Sequence, residues 1–383
     1  MRIPDFIFVS PILDPSGIAE TMRNLYLALF DLGVKIKIME LPMWSHLKVD
    51  LNPELREKIQ FGIDRNDLVK PVVLMAYPPH HFVRYGTPHI EGASLYFTHT
   101  VFETNKAPLM WREFLNDTKF VENFVNCPFN INAYASVGIN KDKLRVLTLG
   151  VDTDKFNPQV TPMNIDGKKE FNFMTGFDWS VRKNPEGLIA SYMQEFTNDP
   201  EVCLIVKSYT GYADENSKNF IREQIKKLRL MTRSKANVLL MTDFIHSDLM
   251  PNFHKAADVW INLSRGEGHS LPVLQSMACG VPVIGSDSTA HQMYLNEQNG
   301  YPVPCSSIPI NNQDFLARTP EFLGSSWWEP NIKEARKQMR QAYNDWKSGK
   351  LKEKGVEARK ESLNFNWKKT AIQLIFECGK YMN

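Results

Sequence analysis

A chain of 383 residues exceeds what one ordinary hydrophobic core supports and predicts two domains of about 150–200 residues each. Its 43% hydrophobic and 23% charged residues are the balance of a soluble globular enzyme, and a net charge of +2 excludes a strong global attraction to nucleic acid. Five scattered cysteines, without a CxxC or Cys/His cluster, indicate neither a disulfide framework nor a zinc site, which makes the reducing cytoplasm the expected compartment.

The opening run MRIPDFIFVSP holds one basic residue before a short apolar stretch, and reads as a buried first strand rather than a secretory leader. No run of 18 apolar residues predicts a membrane span. After DFIFVS come the loop PILDPSG and the helical stretch IAETMRNLYLALFDLG, ending at Gly33. KIKIMEL, PVVLMAY, ASLYFTH and LRVLTLG read as further strands. The pattern breaks into Pro, Asn, Gly and Lys at FNPQVTPMNIDGKK, a linker, and then restarts with EFNFMTGF, VCLIVKSY, NVLLMTDF, VWINLS and PVIGSD. Lys350, Lys352 and Lys354 read as a solvated helix face, with peripheral membrane contact left open. The tail KKTAIQLIFECGKYMN has helical apolar spacing and is expected to pack back on the first domain.

Such alternation predicts an α/β chain of two Rossmann-like, doubly wound domains, residues 1–160 and 161–365, with a closing helix at about 366–383 joined to the first. In open α/β sheets ligands sit beyond the carboxyl ends of the strands, so chemistry is expected in a cleft between facing sheets.

The segment SRGEGHSLPVLQSMACGVPVIGSD, residues 264–287, follows a strand end. Gly266 and Gly268 are expected to permit a tight turn, and Pro272 suits the first turn of a helix that Gly280 closes. A loop of this kind feeding a helix N-terminus suits a diphosphate. The segment resembles the large family of retaining GT-B glycosyltransferases, whose signature is Glu, seven residues, Glu. The resemblance places Glu267 against the donor sugar. It places Gln275 where the family's second Glu holds the ribose, so a charge-assisted bond is forfeited there. It implies that Gly268, His269, Ser270 and Leu271 line the diphosphate and sugar. Ile245, in DFIHSDLMPNFHKAADVW, falls in the stretch whose backbone holds the base.

A second match, FMTGFDWSVRKNPEGLIASY, sets Lys183 against the diphosphate with Arg182 beside it. Phe177 stands where the family often has a further arginine. Fixed cations there would stabilise the leaving diphosphate. Lys207, ending VCLIVK, is a further candidate at a strand's carboxyl end. In the first domain Gly17 of PSG is expected near the phosphates, and His99, with Glu103 nearby, near the donor sugar. His80 and His81 lack a carboxylate partner for a metal. The resemblance implies transfer from a nucleotide diphosphate sugar to an acceptor hydroxyl, with catalytic Glu267, Lys183 and His99 and neither metal nor cofactor. The partners are then a nucleotide-sugar donor and a saccharide, lipid or protein acceptor, without nucleic acid. A sugar-nucleotide epimerase and a non-catalytic nucleotide-sugar binding subunit remain alternatives.

Overall fold

Short apolar runs, each long enough for one strand, pair side by side here in two separate parallel sheets. The computed structural model describes residues 3–41, 49–93, 95–210 and 214–382; Met1 and Arg2 of the opening run, Ser94 of ASLYFTH and Asn383 of the tail lie outside them. The chain divides into one unit of residues 1–150, 309–326 and 365–383, and another of 151–308 and 327–364.

In the first unit β1 (Phe6–Ser10), β2 (Ile36–Glu40), β3 (Val72–Met75), β4 (Leu95–Thr100), β5 (Phe120–Val125) and β6 (Leu144–Val146) form a sheet of order β2-β1-β3-β4-β5-β6. Its pairs are parallel, with Phe8 opposite both Ile38 and Leu74. β1 is buried along its whole length, as a strand covered on both faces must be, which is why it reads as one apolar run. The helices α1 (Gly17–Asp31), α2 (Pro53–Asp64), α3 (Pro79–Tyr85), α4 (Trp111–Asn116) and α5 (Pro128–Ala135) connect these strands. α1 starts at Ser16, whose side chain accepts from the Ala19 N–H at 3.3 Å. β5 has no counterpart among the sequence-predicted strands. Its run FVENFV carries Glu122, buried at 2% exposure, which the sheet tolerates because Arg145 Nε lies 2.9 Å from the carboxylate and the Tyr381 hydroxyl donates to it.

In the second unit β7 (Phe171–Asp178), β8 (Val202–Tyr209), β9 (Asn237–Met241), β10 (Val259–Asn262), β11 (Val283–Ser286) and β12 (Gly300–Val303) run in the order β12-β11-β10-β7-β8-β9. Phe171 pairs with Val202 and Asp178 with Tyr209, so β7 and β8 end together at their carboxyl edge. The connecting helices are α6 (Pro185–Glu195), α7 (Glu215–Thr232), α8 (Met250–Lys255) and α9 (Leu271–Ala278). Phe173, Leu188, Tyr192, Phe196 and Ile261 share its core. Gly280, at φ 72°, turns the chain out of α9 in a conformation that favours glycine.

Beyond β12 the chain leaves along β13 (Cys305–Pro309) and returns on β14 (Ser326–Pro330), which pair as a two-stranded sheet. Between them, α10 (Gln313–Arg318) and the turn after it belong to the first unit, where Phe322 meets Phe102 at 4.6 Å between ring centroids. α11 (Ile332–Lys347) and α12 (Leu351–Ser362) complete the second unit. α13 (Trp367–Gly379) then packs on α1 in the first, as its spacing predicts. A side chain at Gly150 would collide with the Trp367 backbone, so glycine is what permits this close return.

Candidate functional site

The strands of the second unit deliver their loops to one edge, and the loop after β10 is the most thoroughly tied of them. Asn262, the last residue of β10, accepts from the Ser264 N–H at 3.0 Å and donates to Ser270 Oγ at 3.0 Å and to Glu267 Oε1 at 3.2 Å. Asn184 donates to the Leu263 carbonyl at 3.1 Å, and Ser286 Oγ to the Ser264 carbonyl at 2.7 Å. Arg182 Nη1 donates to the Gly266 carbonyl at 2.7 Å, and the Arg265 N–H donates back to the Arg182 carbonyl at 2.8 Å. The carbonyls of Leu263, Ser264 and Gly266 are therefore each held by a side chain from a neighbouring segment.

Glu267 sits at the centre of this loop, only 4% exposed. Lys183 Nζ lies 2.8 Å from Oε1 and 3.0 Å from Oε2, and Arg182 Nη1 lies 3.6 Å from Oε2. Burial opposes the charged carboxylate, but Lys183, then Arg182 and His291, outweigh it and bring its pKa down to about 2. The Glu267 N–H donates to Thr289 Oγ1 at 3.0 Å, fixing the carboxylate's backbone as well. Thus Glu267, Lys183 and Arg182, separated by over eighty residues, are brought together as one charged cluster.

Two helices start beside it. α9 is entered through Ser270 at φ 64°, and α6 through Asn184 at φ 52°, and neither N-terminus receives a side-chain cap. The left-handed residue of the 264–270 loop is Ser270, rather than one of the glycines expected to make the turn. Gly268, His269, Ser270 and Leu271 all lie buried along this entry. The Tyr294 hydroxyl donates to the His269 carbonyl at 2.6 Å. Gln275 lies one turn into α9, buried, with its side chain beside His254. That imidazole is held at about 3 by burial, which Gln275 only partly offsets, so it is neutral at physiological pH.

Lys207 stands near the end of β8, opposite Gly176 of β7. Its ammonium lies 5.4 Å from the Tyr209 ring centre and 5.6 Å from that of Phe244. Burial lowers its pKa to about 8, opposed by Asp243. Ile245, next to the exposed Phe244, is half-buried. Phe177 does not reach this edge as a charged group would; it is buried in the core.

The first unit places its candidates differently. Gly17 opens α1, exposed, with open space around the position a side chain would take. The loop before it is held from below: Arg23 Nη1 donates to the Ile12 and Asp14 carbonyls at 2.6 and 2.7 Å, and Glu40 accepts from the Ile12 and Leu13 N–H groups. His99, near the end of β4, is buried and hydrogen bonded through Nε2 to Asn126 Oδ1 at 2.8 Å. An amide oxygen only accepts, so Nε2 carries the proton and Nδ1 is left as an acceptor. Burial holds this histidine at about 4, so it is neutral near pH 7. His81 is taken up by ring contacts with Tyr77 and Tyr85, and His80 faces Trp111. Glu103 is half-buried in the stretch after β4.

Asn184, Asn262, Thr289 and His291 belong to the cluster around Glu267, yet none has a readable sequence signal for that role. The Asn-Pro pair at 184–185 announces a turn but not its bond to Leu263.

Residues 193–316 match the family described as Glycosyl transferases group 1. Alpha-monoglucosyldiacylglycerol synthase of Streptococcus pneumoniae is 25% identical over 167 residues, 41% of this chain and 34% of that protein. The match thus spans about a third of that relative's length. In three dimensions the chain is similar to sucrose-phosphate synthase of Thermosynechococcus elongatus, with a TM-score of 0.67, 15% identity and 99% of both chains covered. It is also similar to Anabaena HepE in complex with UDP and glucose, with a TM-score of 0.66, 12% identity, and 99% of this chain and 100% of that one covered. Residues 193–316 thus resemble the group 1 glycosyl transferases, and the chain has the two-sheet Rossmann-like fold of GT-B glycosyltransferases.

Proposed function

We propose that this protein transfers a sugar from a uridine diphosphate sugar to an acceptor hydroxyl, with retention of configuration and without a metal. The observation that carries the reading is the ion pair of Lys183 with the buried Glu267 beside the entry to α9, Glu267 lying in the segment that matches glycosyl transferases. Lys183, Arg182 and the N–H groups opening α9 hold the diphosphate and stabilise its developing charge as it leaves. Glu267 accepts bonds from sugar hydroxyls, Gln275 bonds the ribose, and the segment around Ile245 borders the base. Lys207 adds a cation at the same edge. Gly17 gives the first unit's backbone close access to substrate, and neutral His99 offers Nδ1 as an acceptor to a hydroxyl. The acceptor oxygen attacks the anomeric carbon from the face the nucleotide leaves. Its proton passes to the departing phosphate oxygen as the glycosidic bond breaks.

Uridine is suggested by HepE, whose structure holds UDP, and a lipid acceptor by the name of the streptococcal relative. The cytoplasm, where nucleotide sugars are made, is the proposed compartment. The test is UDP release from UDP-glucose with saccharide and diacylglycerol acceptors, with and without EDTA, and the product anomer read by NMR. Acceptor-dependent release, an α-linked product from the α-linked donor and indifference to EDTA are expected. No release with any acceptor, or an epimerised donor in its absence, would overturn the proposal.

A further inference from the structure

We propose that the outer face of α7 is a docking surface for an anionic lipid bilayer. The helix has two unlike faces. Ile221, Ile225 and Leu228 turn inward onto the second unit's core. Off that stripe, at spacings of seven, three and one, come Phe220, Lys227 and Met231 on its flank and Leu230 opposite it. Phe220 is 47% exposed, and Leu230 and Met231, at 78% and 79%, are the most exposed large hydrophobic side chains among the described residues. A solvated helix normally keeps its apolar residues on one stripe; here three more stand exposed outside it.

Charge indicates what this stripe meets. The first half of α7 is neutralised locally, Arg222 by Glu215 at 2.7 Å and Lys218 by Asp243 at 2.6 Å. From residue 224 to 242 the chain has five cations, Lys226, Lys227, Arg229, Arg233 and Lys235, and no acidic residue. Arg229 turns back to the Ala236 carbonyl and Lys226 to Glu223, while Lys227, Arg233 and Lys235 stand exposed around Leu230 and Met231. Arg233 holds a left-handed backbone, φ 52°, a position that glycine would occupy without strain. Protein interfaces are depleted in lysine, whereas apolar side chains ringed by lysine and arginine suit an anionic bilayer's interface. The basic run on α12 makes the contrast: Lys354 there donates to the Glu297 and Gly300 carbonyls and covers the Tyr301 ring, so it serves the fold. The proposal stands independently of the sugar-transfer reading.

The test is flotation of the full chain with vesicles of equimolar phosphatidylglycerol and phosphatidylcholine at low salt, against vesicles of phosphatidylcholine alone. The protein should float with the anionic vesicles only, and Leu230→Gln with Met231→Gln should abolish this. Lys227→Gln and Arg233→Gln should each weaken binding about fivefold. All four residues are exposed, so unchanged thermal melting confirms folded variants. Failure of the natural chain to float, or equal flotation of the Leu230/Met231 variant, would overturn the proposal. A concentration-dependent dimer in sedimentation velocity, lost in that variant, would assign the face to a second copy and also overturn it.

Discussion

The two sheets carry similar strand orders, yet their carboxyl edges are built on different principles. In the second unit the loop around Glu267 is cross-braced by charged, amide and hydroxyl side chains through several bonds at once. In the first unit Arg23 and Glu40 hold the β1 loop from below, while Gly17 faces open space at the loop's end. A donor diphosphate is one chemical object and rewards a rigid, pre-formed cradle. An acceptor site varies from enzyme to enzyme and lives on loops that need only a firm base. Under the proposed function, this difference is the one expected between a donor edge and an acceptor edge.

The largest way to break this contrast is Lys183→Ala. It leaves the buried Glu267 carboxylate to the more distant Arg182 and to Asn262, so the second unit should lose roughly 3 kcal/mol. Thermal melting would show this, and UDP affinity should fall with it. Adding Glu267→Gln should recover much of the stability and none of the affinity. The corresponding removal of Gly17's freedom, Gly17→Ala, should leave melting nearly unchanged.

Acid probes the same pair. Glu267 has its folded-state pKa depressed below the ordinary 4.5, to about 2. Its stabilisation is complete above about pH 4.5 and is lost as the pH falls toward 2. His254 and His99, neutral in the fold at about 3 and 4 against an ordinary 6.5, add a loss that begins earlier, below about pH 6.5. Denaturant titrations from pH 7 to 3 should show stability declining throughout. Glu267→Gln should flatten the part below pH 4.5 only.

A smaller effect is expected from Asn184→Ala. It removes the bond to the Leu263 carbonyl and leaves a non-glycine residue in left-handed backbone, at a cost of about 1–2 kcal/mol. Asn184→Gly should recover part of this, and a result in the reverse order would mean that the loop does not rest on Asn184. Smallest is Gln275→Glu, expected to tighten UDP binding by about 1 kcal/mol through a charge-assisted ribose bond. Calorimetric titration checks it; weaker binding would show a pocket built around the amide beside His254.

Much of this was legible before any coordinates. Parallel strands covered on both faces announce themselves as apolar runs, which is why β1, β3, β7 and β8 were read directly. β5 escaped because Glu122 interrupts it, and its partners Arg145 and Tyr381 come from distant sequence. The excursion through α10 into the first unit has no local signature either, since the Phe102–Phe322 contact is purely tertiary. Of the candidate site, Glu267 and Lys183 carry motifs in the sequence, and the fold pairs them. Asn262, Thr289 and His291 act only through where the fold sets them, and the turn expected of glycine is made by Ser270.

In the proposed function Glu267 holds the donor's sugar while its neighbours hold the diphosphate. Calorimetric titration of the natural chain and Glu267→Gln with UDP-glucose and with UDP tests it most directly. The substitution should weaken UDP-glucose about tenfold relative to UDP, the loss of one charge-assisted hydrogen bond. An equal change for both ligands would contradict it, and would make Glu267 an organiser of its loop instead.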